Sequence, residues 1–375
     1  MRMGVFGGGA IGLAAAIVLA RAGIETHLYD SQGFETRIPT GETDARVWAL
    51  GPRAIALLQR LGCVCDGERV LRYQRMRVID ATSDAAIQFG PSELGAIVEA
   101  DWIRAMLIKV AKRQTLLSLH THGVSTLSWQ DQVVTGDAIS DPMDGVILAE
   151  GRRAELAQSL GFQKTVTADG FQALVGTLAC TLPHRGEAFQ IFTAQGPLAL
   201  LPLPDVNGEP RVSVVWSMRD ADALELQRLD LNTVVQRLMQ ASEHVRGSLN
   251  WVRPAHWILL SQHHLDRDAL GPCLAIGDTA HGIFPLAGLG ANLGFADVCA
   301  IEEALAARSS VDPVRLARAV ERARRIEHLM TAQTMAMLQW GFASTNPWMC
   351  LMRSAIFRAA DRMGPIKALV QQLAG

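Results

Sequence analysis

Apolar and polar positions alternate along this chain in a way that changes period several times. Met3 to Phe6 is a short apolar run that leads into Gly7-Gly8-Gly9-Ala10-Ile11-Gly12, after which Ala14 to Ala22 reads as a helix former. Gly23 ends that helix, and Ile24 to Tyr29 predicts a second strand finishing at Asp30. The opening therefore predicts strand, glycine turn, helix and strand. Further on, Lys164 to Thr167, Ala173 to Leu178, Ala188 to Thr193 and Val212 to Trp216 are β-rich runs separated by turn signals. Leu274 to Ile276 predicts another strand, delivering Gly277 and Asp278 at its C-terminal end. Helical periodicity marks Val314 to Met330, whose Arg315, Arg318, Arg322, Arg324 and Arg325 read as a solvated face, with a lipid-headgroup site as the alternative. In the closing stretch, Met335, Met337, Trp340, Phe342, Trp348, Met349, Met352 and Phe357 form an apolar helical set. Core packing explains it, and a docking surface for a membrane or partner proteins is the alternative.

Composition narrows the picture. The chain has 375 residues, 49% of them hydrophobic and 19% charged, enough for two or three structural units. Met3 to Ala20 is broken by glycines, and Leu329 to Met352 carries too many polar residues to span a bilayer, so no transmembrane helix is expected. The glycines likewise argue against a signal peptide. A net charge of -2 gives no reason to expect nucleic acid. The six cysteines lack metal-ligand spacing and read as reduced thiols of a cytoplasmic protein. His263 and His264 are adjacent and would point apart on a strand, so no metal site is expected.

The glycine turn has a chemical use. Gly7 permits a tight turn, Gly9 leaves room for a pyrophosphate, and Gly12 allows close packing of helix on strand. Unpaired N–H groups at the helix start, around Ala10 and Ile11, would face the phosphates. Asp30 lies where an acid can accept from ribose hydroxyls and disfavours a 2′-phosphate. These features predict a dinucleotide without separating FAD from NAD.

The segment from Gly277 to Asp297 makes that choice. Asp278 can hold ribityl hydroxyls, while Pro285, Gly288 and Gly290, followed by Ala291-Asn292-Leu293-Gly294 opening a helix, would let main-chain N–H groups approach a flavin ring. The run reads GDTAHGIFPLAGLGANLGFAD. It resembles the GDAAH-x-x-HPLAG-x-GLNLG-x-x-D pattern of the FAD-dependent aromatic hydroxylases, in their ubiquinone-biosynthesis branch. Asp44 to Leu50 with Leu57 to Gly62, Leu182 to Gly186, Phe192, Gly196 to Leu203, Phe342, Asn346 and the run from Arg353 to Gly375 are similar to other parts of that branch.

The resemblance implies an α/β protein: a discontinuous Rossmann-like FAD-binding domain, a mixed or antiparallel β-sheet substrate domain, and C-terminal helices. The expected bounds are 1–75, 96–160 and 268–330 for the FAD domain, 76–95 and 161–267 for the substrate domain, and 331–375 for the C-terminal helical segment. It implies FAD contacts at Gly7, Gly9, Ala10, Ile11, Gly12, Asp30, Arg46, Arg104, Asp278, Pro285, Gly288, Gly290, Ala291 and Asn292. Phe284 and Pro285 would form the wall between flavin and substrate, with no acid–base residue assigned. His281 reads as a hydrogen-bonding support rather than a catalytic base. Oxygen would come from O2 and electrons from NAD(P)H or a separate reductase. The implied substrate is a polyprenylated phenol, met in the cytoplasm or at the inner membrane face, with ubiquinone-biosynthesis proteins as prospective partners.

Departures from the branch are concentrated near the expected flavin ring. Phe284 replaces a usual histidine, Leu289 a glutamine and Ala291 a leucine, and a middle ADG-x-x-S motif reads Ala149-Glu150-Gly151-Arg152-Arg153-Ala154. They leave open a different aromatic or terpenoid substrate, and a non-catalytic scaffold in a biosynthetic complex.

Overall fold

The computed structural model describes residues 1–36, 46–63, 67, 69–81, 85–91, 93–253, 255–283, 289–307 and 311–343. Its first layer is a six-stranded sheet with Arg2–Phe6 near its centre. Parallel neighbours are Glu25–Tyr29 on one side and Gly145–Leu148 on the other, extended outward by Leu117–His120 and Cys273–Ala275. Ala269–Leu270 adds an antiparallel edge. A parallel sheet is covered on both faces, which is why Met3 to Phe6 and Gly145 to Leu148 are continuous buried runs. The fingerprint helix, Ala10–Arg21, is buried along nearly its whole length because it lies between this sheet and two other helices, Ala100–Ala111 and Leu289–Ala306. Strands from the beginning, middle and end of the chain thus share one sheet.

The second layer is a nine-stranded sheet. Its long members are Lys164–Cys180, Pro197–Val206, Glu209–Arg219 and His256–Leu265, paired antiparallel; Glu187–Phe192 pairs parallel with Arg75–Asp80. Lys164 to Cys180 is one 17-residue strand rather than the two runs expected. Its pairing register shifts between Val166 and Ala168 and again between Ala168 and Phe171, beside Gly170 at φ +76°. Those bulges hid the continuity from a period-two reading. Helices Asp220–Gln227 and Leu231–Ala241 cover one face, through Leu226, Val234, Val235 and Leu238. Asp230 caps the second helix by accepting from the amides of Asn232 and Thr233. On the opposite face, Ala188, Leu201 and Leu203 pack with Ala49, Tyr73 and Ile97 of a three-stranded sheet.

The long helix Pro313–Ala343 runs unbroken through the expected boundary at 330/331. Arg324 corrects the reading of its arginines as a solvated face: it is 2% exposed and turned into the protein. Among the described residues no helix is long and apolar enough to cross a membrane.

Candidate active site

Three remote segments meet at the C-terminal edge of the parallel sheet: residues 7–12, 149–152 and 277–283. A Cβ on Gly7, which has φ +111°, would fall 2.1 Å from the Ala149 carbonyl oxygen; one on Gly12 would fall 1.9 Å from the Gly7 oxygen. Both positions therefore require glycine for reasons internal to the fold. Gly9 differs, since a Cβ there would meet nothing within 4 Å. Gly9 is the N-cap of the fingerprint helix, no side chain caps that terminus, and Gly9 itself is exposed. The first turn thus presents uncapped N–H groups to open space, the requirement for holding a pyrophosphate.

Around this turn the polar side chains are ordered. Asp30, immediately after the strand Glu25–Tyr29, accepts from the Gly8 amide at 2.6 Å and the Gln32 amide at 2.7 Å. Arg104 crosses the turn, donating to the Gly8 oxygen at 2.9 Å and the Gly33 oxygen at 2.7 Å. Arg46 is exposed and holds its guanidinium over the Trp48 ring at 5.8 Å.

The 277–283 segment packs directly on the fingerprint. A Cβ on Gly277 would lie 3.4 Å from the Ile11 side chain, and one on Gly294 2.9 Å from the same side chain. Asp278 projects from this turn with its carboxylate 39% exposed and 3.4 Å from Arg152. The helix following it begins at Leu289, earlier than expected, so Gly290 and Ala291 lie in its first turn. A Cβ at Gly290 would stand 3.6 Å from Asp278, ordinary contact. Asn292 is 5% exposed; its amide donates to the Ala49 oxygen at 2.8 Å and its oxygen accepts from Gly51 N–H at 2.9 Å. Asn292 therefore ties the three-stranded sheet to this helix. Phe284, Pro285 and Gly288 lie outside the described residues.

Beneath the turn is a buried ionic hub that sequence reading missed. Asp297, 1% exposed, accepts from Gly277 N–H at 2.9 Å and Arg324 Nε at 2.8 Å, and it stands 3.0 Å from His281 Nε2 and 2.8 Å from His328 Nε2. His328 reaches Asp268 through its other nitrogen at 3.1 Å, and Arg324 also pairs with Glu327. Burial alone would push the Asp297 carboxyl upward, but His328 and His281 hold it well below the usual range. Burial opposes the His328 imidazolium, yet Asp297 and Asp268 push it up to about 9. His281, Asp297 and His328 offer ligand atoms within 4.8 Å of one another. Since four protein groups already surround the Asp297 oxygens, the arrangement is chemically that of an ion-pair hub rather than a metal cage. His281 is thereby a support, its Nε2 engaged with Asp297. The sequence signals for the hub are His281 and Asp297 inside the Gly277 to Asp297 run and the arginine at 324 with the histidine at 328, one helical turn apart.

Glu150, the lengthened acid of the middle motif, faces the helix Glu155–Ser159 and accepts from the amides of Leu156 at 3.1 Å and Ala157 at 3.0 Å. Burial pushes its carboxyl up while those amides pull it down. Of the two adjacent histidines, His263 is buried and His264 exposed, so they point apart.

Residues 143–334, more than half of the chain, match the family described as FAD binding domain. A ubiquinone hydroxylase of Rhodospirillum rubrum is 29% identical, over 97% of this chain and 87% of its own length. The 3-demethoxyubiquinol 3-hydroxylase of Escherichia coli is 26% identical, over 97% of this chain and 95% of its own. The crystal structure of Klebsiella pneumoniae HpxO complexed with FAD and uric acid superposes with a TM-score of 0.74 at 16% identity, over 100% of this chain and 97% of that one, which establishes a common fold.

Proposed function

Because the chain belongs to the FAD binding domain family, we propose that it is an FAD-dependent monooxygenase that hydroxylates the aromatic ring of a polyprenylated phenol in ubiquinone biosynthesis. The observation that carries the reading is the open, uncapped helix start at Gly9 lying against the Gly277–Asp278 turn, a cradle of the right chemistry for one dinucleotide. The fingerprint turn and the first turn of its helix would hold the pyrophosphate, Asp30 a ribose, and Asp278 the ribityl hydroxyls. When bound and reduced, FAD supplies the O2 activation that puts one oxygen atom on an electron-rich ring.

This chain's own residues would then bind and orient the ring and exclude water. The face of the nine-stranded sheet that bears Ala173, Val175 and Leu260, with Phe171 and Val215 packed on them, is apolar and suits a phenol with a hydrocarbon tail. The fourteen expected FAD contacts, and Phe284 and Pro285 as the substrate wall, belong to this proposal. So does encounter with a lipid-tailed substrate at a membrane face or inside an assembly of biosynthetic proteins; exposed Ile326, Leu329 and Met330 on the long helix are a surface of suitable character. Electrons would come from NAD(P)H or a separate reductase.

The test is expression in a set of strains each blocked at one ring hydroxylation. Restored ubiquinone synthesis in one strain supports the reading and assigns the ring position; restoration in none, with FAD bound, favours another substrate.

A further inference from the structure

Arg152 occupies a junction that the proposed chemistry does not use. Its Nη1 donates to the Ser261 oxygen at 2.7 Å and its Nη2 to the Ile283 oxygen at 2.6 Å, while its Nε lies 3.4 Å from Asp278. Ser261 belongs to the strand His256–Leu265, and Ile283 follows the short strand His281–Gly282 paired with it through His263 and Gly282. The guanidinium fork therefore bridges the two chains just where their ladder stops. A lysine in that place would offer a point charge and no planar fork.

The backbone of Arg152 is fixed as well. Its carbonyl oxygen accepts from Lys164 Nζ at 2.6 Å, and Lys164 begins the long strand of the nine-stranded sheet. His263 stands beside this cluster, 2% exposed; burial, with Lys164 and Arg152 nearby, pushes it down to about 4, so at neutral pH it adds no further positive charge. Of these two cations it is Arg152 that meets the Asp278 carboxylate, at 3.4 Å.

We propose that Arg152 is a positioning residue of the flavin site, fastening Asp278 and the main chain at Ile283 to the substrate sheet at Ser261. It rests on the reading of Asp278 as a flavin contact. Through it, the carboxylate that would hold the ribityl chain and the sheet that would orient the ring keep a fixed relation.

The test compares Arg152→Gln, Arg152→Lys and Arg153→Gln with the parent chain, measuring FAD affinity by fluorescence titration and the visible circular dichroism of the bound flavin. Arg153 is exposed and its main-chain oxygen, which a side-chain change leaves in place, accepts from Lys164 and Gln158, so its variant controls for loss of charge in the same turn. Expected are an FAD affinity weakened about tenfold in Arg152→Gln, a flavin dichroism displaced toward that of free FAD in both Arg152 variants, and parent behaviour in Arg153→Gln. Parent affinity and dichroism in Arg152→Gln, or equal losses in Arg152→Gln and Arg153→Gln, overturn the proposal. If Arg152→Gln fails to fold, Arg152→Lys decides by its dichroism alone. A parent chain that takes up no FAD overturns the functional reading itself and this inference with it.

Discussion

Asp297 accepts from the main-chain amide of Gly277 at 2.9 Å, so a carboxylate buried on one helix holds the turn from which Asp278 projects. The same carboxylate is gripped by Arg324 and His328 of the long helix. Placement of the Asp278 turn and docking of the long helix are consequently one structural unit, and changes at one should be read at the other.

Replacing Asp297 by asparagine removes the buried anion that Arg324 and His328 share, leaving them only Glu327 and Asp268. Loss of one partner of a buried ion pair costs about 3–5 kcal/mol, so the midpoint of urea unfolding should fall sharply. FAD affinity should fall as well, since the one oxygen that remains cannot accept from Gly277 and from Arg324 as the two carboxylate oxygens do. A change in stability below about 1 kcal/mol, the range of a surface pair, would mean that the hub is not stabilising the fold.

The hub also sets a pH window. His328 has a folded value of about 9 against 6.5 for a free histidine. Its stabilising contribution is thus fully present below pH 6.5 and is lost as pH rises through about 9. A difference of that size corresponds to roughly 3 kcal/mol. Unfolding free energy should decline across that interval in the parent chain, and the His328→Gln variant should show a flatter profile there. An unchanged slope in the variant would assign the decline to other groups.

The glycines of the fingerprint should separate by experiment. Gly12→Ala places a Cβ 1.9 Å from the Gly7 oxygen, so both folding and FAD binding should suffer. At Gly9 the added methyl meets no protein atom within 4 Å, so Gly9→Ala should keep the parent thermal midpoint without FAD and lose FAD affinity. Full affinity in Gly9→Ala would place the dinucleotide elsewhere.

Asn292→Ala removes both partners of a buried main-chain pair, Ala49 oxygen and Gly51 N–H. Two groups left unsatisfied cost about 2–6 kcal/mol, measurable by thermal unfolding. Asn292→Asp keeps the acceptor for Gly51 but sets a carboxylate against the Ala49 oxygen, and should be nearly as destabilising.

Much of this was legible in the chain because it depends on local chemistry. The turn at Gly7 to Gly12, the strand leading to Asp30 and the strand delivering Asp278 each carry their signal within a few neighbouring residues. What escaped depends on partners remote in sequence. Arg324 looks like its solvent-facing neighbours until Asp297, 27 residues away, is seen to accept from it. Asn292 shows nothing in its neighbouring residues of the bonds it makes to Ala49 and Gly51, more than 240 residues away. Bulges around Ala168 concealed a continuous strand because they break its alternation.

One measurement bears on the whole proposal: transfer of oxygen from isotopically heavy dioxygen to a prenylated phenol by the purified chain with FAD and a reductant. The expected result is a single heavy oxygen atom on the ring of the product, absent when FAD is omitted. Oxygen consumption with no labelled ring product from any prenylated phenol supplied, or a chain that takes up no FAD at all, would contradict it.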